Sequence, residues 1–471
     1  MSYLNTLSPL DNRYQSLVEP ITNHFSLFNQ TKLKAIVEVK YFTSLLNYIQ
    51  TNNNKLEEDL RIPKSYNLNH TFEPLLNRVT NMNNDDFNRI QEFESTCHHD
   101  IKAIEYWIRE IFDELYLNTE YYKYKEFIHF GLTSQDINHT AFDLSLHACI
   151  DTLHNKIYDL ISLLIEKSED WKNITMLAYT HGQAAVPTKL GKELQVFIER
   201  INYNAGSICQ FIPRTKMGGA VGNMNAHYAV YPLLDWRFFF YKFVKTDLGL
   251  QKWNYTTQIT NYESLSDVTS VICNLNTTLL DLCQDIWLYC HKDYFKIAKE
   301  NTEQVGSSTM PQKVNPINFE NAEGNLKMSN AVLGMMCDKL PVSRMQRDLT
   351  DSTVLRNYGV GIGHMYLSLE NIIRGVKKLS PNTETINNDL LRHPEVLGEA
   401  VQCILRVYGI PNAYDIVRMA SQNKTFHNED EYIYNIIEVL NKEVGTDHHN
   451  YKSIINKINN LSVNTYTGVT Q

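Results

Sequence analysis

Six apolar residues, Val268, Ile272, Leu275, Leu279, Leu282 and Ile286, recur at spacings of 4, 3, 4, 3 and 4, the seam of a long helix packing lengthwise on its neighbours. Ser266 or Asp267 is expected to cap its start. A second seam runs through Phe142, Leu146, Ile150, Leu153, Ile157, Leu160 and Leu164, and it begins just after TSQD at 133–136, which fits a helix capping pattern. A third, less regular, covers Leu190, Leu194, Phe197 and Ile201. Seams of five or six turns exceed the ~11 to 12 residues of a mean globular helix, so they predict a bundle of long helices. Nineteen glycines and thirteen prolines in 471 residues are few for the turns of an all-β or alternating α/β fold. A coiled-coil scaffold without catalysis is one reading of such seams, but the glycine-bearing interruptions between them exceed what a scaffold needs.

A head of mixed, shorter helices, the seams, and a tail after the SPNTET break at 380–385 give three segments: 1–122, 123–377 and 378–471. The formal charge of -9 argues against nucleic acid or an anionic membrane as the main partner, while leaving room for an anionic small molecule if cations converge locally. The start, MSYLNTLSPLDNRY, lacks the form of a secretory signal, and no stretch approaches the ~20 apolar residues of a membrane helix. The eight cysteines form no CxxC pair and read as reduced core residues in a cytosol-like compartment.

The stretch GSSTMPQKVNP at 306–316 puts two hydroxyls and an ammonium on a segment unsuited to helix or strand. It is not a P-loop, because Lys313 is flanked by Gln312 and Val314, and it contains neither G-x-S-x-G nor S-x-x-K. Asn315 followed by Pro316 predicts a helix start, with Asn315 as cap; Lys313 and the N–H groups there would stabilise an anion. The plain alternative is a surface turn. A second cluster, YTHGQAAVPTKLGKE from Tyr179, places His181 between Thr180 and Gly182 and predicts that Pro187 opens a helix at Thr188. His181 is either a proton donor or a capping or core histidine.

In TCHHDIKAIEYW from Thr96, Asp100 could orient His99, or His98, His99 and Asp100 could bind metal, but no further ligand stands at metal spacing. In LPVSRMQRDLTDSTVLRNYG from Leu340, Arg344, Arg347 and Arg356 with Ser343, Ser352 and Thr353 suit a phosphate or carboxylates. The alternative is a charged helix face that Asp348 and Asp351 compensate. His448 and His449 lie in a polar tail segment and read as solvent-facing.

Taken together, GSSTMPQKVNP, THGQ and GLTSQD resemble the signature regions of the fumarase, aspartase and argininosuccinate lyase superfamily. Within it, LSPLDNRY, CHHDIKAIEYW, KMGGAVGNMNAHYAVYP, NYTTQI, MPQKVNPINFENAEGN and LPVSRMQRDLTDSTVLRN are similar to the bacterial-type branch of the adenylosuccinate lyase family. The resemblance implies an all-α, three-domain fold whose long central helices form the core of a cytoplasmic homotetramer, with active sites shared between subunits and no metal or organic cofactor. It implies cleavage of succinyl-AMP to AMP and fumarate, and of the succinylated aminoimidazole carboxamide ribotide (SAICAR) to its carboxamide (AICAR) and fumarate. Carried over by position, Ser307 is the base, His181 the acid, and Lys313 with Asn315 stabilises the carbanion. Arg13, Tyr14, Thr133, Ser134, Gln258, Ser308, Asn321, Arg347, Ser352, Thr353 and Arg356 bind substrate, and His99 and Asp100 sit near its carboxylate end. His98 stands where the branch usually has Asn, so that a contact made there by an amide is either altered or made pH-dependent. An argininosuccinate lyase is the nearest rival, disfavoured by the arginine-rich segment and the SPLDNRY start; a catalytically retired structural homologue is the rival of another class.

Overall fold

The computed structural model describes residues 6–298, 310 and 313–470. The long helices are present. One spans Ser134–Asp170 and another Glu263–His291, with others at Leu190–Cys209, Ile317–Lys339 and Tyr358–Lys377. Every residue of the three seams is buried, from Phe142 to Leu164, from Val268 to Ile286, and from Leu190 to Ile201. The 4-3 spacing therefore reports real packing faces: each turn presents one apolar side chain on the same buried side of the helix.

Helix starts differ from the sequence expectation by a few residues. The 263–291 helix begins ahead of Ser266, whose N–H already donates to Tyr262 O at 2.8 Å while its hydroxyl reaches Cys337 O. At the other start, Phe319 N and Glu320 N both donate to Pro316 O, so Pro316, not Asn315, occupies the capping position. Pro187 opens no helix: it lies in the strand Gln183–Lys189, opposite Leu177 of the strand Thr175–Thr180. A hairpin with no third strand tolerates the missing N–H of proline.

The helical expectation thus gains three two-stranded sheets among the described residues. They are this antiparallel hairpin, a parallel pair Arg214–Thr215 with Gln251–Lys252, and an antiparallel pair Phe295–Ile297 with Leu379–Pro381.

The chain divides into two units. The first comprises Met1–Ile157, Asn204–Thr277 and Gly324–Glu370. Its core is rich in aromatics, with Tyr41 stacked on Phe240 and Phe42 edge-on to Phe72 at 4.8 Å between centroids. The second comprises Tyr158–Tyr203, Thr278–Glu323 and Asn371–Gln471, with a core of Leu177, Leu397, Val401, Leu405, Ile436 and their neighbours. The expectation that the cysteines are core residues is corrected: Cys149 and Cys283 are buried, whereas Cys209 and Cys403 are exposed. Among the described residues no helix is long and apolar enough to cross a membrane.

Candidate active site

Two helices begin within the first unit at one cleft of about 710 Å³, a size suited to a small-molecule ligand. His98, His99 and Asp100 line it at the start of the Asp100–Tyr116 helix; Ser134, Gln135 and Asn138 line it at the start of the 134–170 helix. The aligned dipoles of the two helix starts make that wall favourable to anions. Arg347, Ser352 and Arg356 line it from the segment expected to bind anions.

The TSQD turn is fixed from below. Thr133 N donates to Asp136 Oδ2 at 2.8 Å, the reciprocal bond of a capping box. Asp136 then accepts from Gly218 N at 2.9 Å and Gly219 N at 3.0 Å, and meets Lys216 Nζ at 2.6 Å with both side chains wholly buried. Lys216 also donates to Gly219 O at 2.5 Å. Burial draws the Lys216 ammonium's pKa down, Asp136 opposes it, and the nearby Arg347 charge adds to the downward pull. The motifs TSQD and KMGG, far apart in sequence, are therefore one structural unit beneath the cleft wall.

Within the wall, Asp100 is engaged by Lys34, at 2.8 Å, rather than by His99, whose Nδ1 is 3.8 Å from Asp100 Oδ1. His99 Nδ1 instead accepts the N–H of Lys102, capping its helix, so a neutral His99 carries its proton on Nε2. Burial pushes the Asp100 carboxyl up, but Lys34 outweighs it and holds the group below its ordinary pKa. His98 is exposed, and it closes the preceding helix Asn84–Cys97 in a left-handed conformation, φ 52°.

Arg347 donates to Gln258 Oε1 at 3.1 Å, which places Gln258 as its support. Asp348 lies 3.6 Å from the exposed Arg344, as a compensated charged face requires. Asp351 does not share that role: it is buried and accepts from Tyr262 Oη at 2.8 Å. His139 and Asp143, 3.3 Å apart and both buried, are each driven by burial toward the neutral form.

The first unit thus brings His98, His99, Asp100, Ser134, Arg347, Ser352 and Arg356 to one cleft, with Gln258 behind Arg347. Thr133 adjoins Ser134 in the capping turn. Thr353 is exposed on the short helix Thr350–Leu355 and does not line the cleft. Nor does the exposed Arg13, whose guanidinium lies 5.7 Å from the Tyr14 ring; Tyr14 packs on Leu10, Val18 and Leu367.

In the second unit, His181 and Gly182 form the two-residue turn of the hairpin, with φ 54° and 71°, the geometry of a type I′ turn. His181 is exposed there. Lys313 is exposed, its N–H donating to Met310 O, and Asn321 Oδ1 accepts from Asn371. Asn315 is half-buried ahead of Pro316. Ser307 and Ser308 lie outside the described residues.

Sequence reasoning missed Lys34, Gln135, Asn138, Tyr262 and the inward role of Asp351. Asn138 follows Ser134 by four positions and Gln135 by three, the helical spacings that put side chains on one face. Lys34 and Tyr262 carry no local signal. Among the described residues, no group of three or more His, Cys, Asp or Glu side chains could hold a metal ion.

Residues 28–334 match a family described as lyase, and residues 343–467 match the adenylosuccinate lyase C-terminal family. An adenylosuccinate lyase of Dictyostelium discoideum is 42% identical, over 89% of this chain and 88% of that protein. One of Legionella pneumophila (strain Corby) is 39% identical, over 91% of each. The crystal structure of a fumarate lyase from Mesorhizobium sp. BNC1 superposes with a TM-score of 0.69 at 14% identity, over 96% of this chain and 95% of that one, which shows a shared fold.

Proposed function

The chain belongs to the adenylosuccinate lyase family, carbon–nitrogen lyases of purine biosynthesis, and on that premise we propose that its cleft receives succinyl-AMP and the succinylated aminoimidazole carboxamide ribotide (SAICAR), releasing fumarate from each and leaving AMP or AICAR. One observation carries the assignment of the cleft. Arg347, Arg356 and two helix starts converge on it, beside the Lys34–Asp100 pair, in a chain of net charge -9, and both substrates bring a phosphate and two carboxylates.

The elimination runs in an anti sense. The alkoxide of Ser307 takes the proton from the succinyl Cβ, the C–H electrons form the new C=C bond, and the C–N bond breaks. Protonated His181 gives its proton to the departing nitrogen. Charge that builds on the adjoining carboxylate is met by Lys313 and Asn315. Arg13, Tyr14, Thr133, Ser134, Gln258, Ser308, Asn321, Arg347, Ser352, Thr353 and Arg356 bind the substrate. His99, a catalytic residue in this scheme, acts near the carboxylate end with Asp100 and His98.

We place the site in a cytoplasmic homotetramer, with three sequential domains at 1–122, 123–377 and 378–471, where neighbouring subunits supply His181 and Lys313 to each cleft. Exposed apolar side chains on the long helices support that assembly: Tyr158 and Ile165, Tyr203, Trp287 and Leu288, Met328 and Met335. Fumarate release from purified protein offered succinyl-AMP or argininosuccinate tests the reading. Turnover of the first is expected; preference for argininosuccinate overturns the substrate assignment. Ser307→Ala and His181→Ala should each cut kcat by orders of magnitude with binding largely kept. Near-normal turnover in either removes that residue from its role.

A further inference from the structure

The hairpin that carries His181 is tethered by a cluster the elimination does not use. Tyr179, two residues before His181, donates its hydroxyl to Asp389 Oδ2 at 2.5 Å, and Tyr294 donates to the same oxygen. Lys292 Nζ lies 3.4 Å from that oxygen and also 3.4 Å from the centroid of the Tyr179 ring. One carboxylate thus gathers two phenols and an ammonium, and the ammonium clamps the first ring from its face. All four residues belong to the second unit. Burial pushes the Asp389 carboxyl up, but the bonds from Tyr179 and Tyr294 and the Lys292 charge more than offset it, so the group stays ionised at neutral pH.

The tether sits where the hairpin needs one. The strand register shifts between Leu177 and Tyr179, then resumes with Tyr179 opposite Ala184 and Thr180 opposite Gln183. Leu177 is anchored in the core, whereas past Tyr179 the turn is exposed, and among the described residues a Cβ at Gly182 would meet nothing within 4 Å. A two-residue turn has no freedom of its own, so the strand end sets where the imidazole stands. We propose that Asp389, acting through Tyr179, is a positioning residue for His181, holding the hairpin tip at the place from which the imidazole protonates the leaving nitrogen. This rests on the assignment of His181 as the acid.

Two readouts test it on the full-length protein. In Asp389→Asn, amide hydrogen exchange across 175–189 should quicken, and kcat should fall roughly ten- to a hundredfold with KM unchanged, the cost of an acid displaced by about 1 Å. Tyr179→Phe, which keeps the ring beneath Lys292, should give a smaller loss of the same kind, and Asp389→Glu should recover part of it. Adding Asp389→Asn to His181→Ala should cause no further loss of kcat, because the tether acts only through the imidazole. Unchanged exchange in the hairpin, or a full multiplicative loss in the His181→Ala background, overturns the proposal. Should His181→Ala alone keep normal turnover, the acid assignment fails, and the exchange arm still decides whether Asp389 holds the hairpin.

Discussion

Replacing Asp136 by Asn should be among the most damaging single-atom changes in the first unit. The substitution leaves the Lys216 ammonium wholly buried without its anion, and breaking a buried pair from one side costs roughly 3–5 kcal/mol. The carboxylate also accepts three backbone N–H groups, from Thr133, Gly218 and Gly219. An amide has one acceptor oxygen, so at least one of those donors meets an NH2 group, adding about 1–3 kcal/mol. The sum, about 4–8 kcal/mol, rivals the ~5–15 kcal/mol that holds a typical domain folded. Lys216→Met in the same chain removes the orphaned charge and leaves the amide in place, so the double variant should recover about 3 kcal/mol of the loss. Urea unfolding followed by the fluorescence of Trp107, Trp236 and Trp253, all in the first unit, reads both variants. An unfolding free energy for Asp136→Asn within about 1 kcal/mol of wild type, or further destabilisation on adding Lys216→Met, would refute the argument.

Gly131 has φ 67°, and a Cβ there would lie 2.5 Å from Cε1 of the buried His227, whereas Gly249, φ 72°, has open space. Gly249→Ala should therefore cost only the ~1–2 kcal/mol of a left-handed residue, and Gly131→Ala clearly more; equal losses would remove the steric argument. Burial pulls the His129 imidazole down, but Glu38, 2.5 Å from its Nδ1, pulls it up further and leaves it above its ordinary pKa. The stability so gained is complete below the unfolded value of ~6.5 and is lost as pH rises through the folded one. Glu38→Gln should flatten the fall in Tm as the pH rises above about 6.5, and an unaltered slope would dismiss the pair as its cause. Arg347→Met should raise KM for succinyl-AMP roughly ten- to a hundredfold, the loss of one charge-assisted contact of about 1.5–3 kcal/mol; an unchanged KM would take Arg347 out of the substrate's reach.

The helices were legible because their signal is local. A 4-3 repeat needs only neighbours in sequence, and all the residues it selected are buried. Helix starts were less so: Ser266 and Asn315 have the right chemistry for caps, but the chain enters both helices with other residues in the capping position. The hairpin was missed at Pro187, whose fixed φ suits a helix start and an edge strand alike. In the cleft, Arg347, Ser352 and Arg356 could be named from one dense segment. Lys34 and Tyr262 could not, because each has its role only through a partner far along the chain, Asp100 in one case and Asp351 in the other.

Asp351 shows why composition alone misassigns charge. Beside three arginines it reads as a surface counter-ion, a role Asp348 fills toward Arg344. The side chain of Asp351 turns inward instead, takes the Tyr262 hydroxyl, and raises that phenol's pKa together with burial. The TSQD and KMGG motifs divide in the same way. Ser134 lines the cleft, while Asp136 and Lys216 lie wholly buried. Their pairing holds the helix start that presents Ser134, and Arg347 feels the Lys216 charge from the other side. A change at Asp136 therefore reaches substrate binding through the scaffold, so any surviving Asp136→Asn enzyme should lose affinity as well as stability, unlike Gly131→Ala, whose clash falls on His227 in the aromatic core.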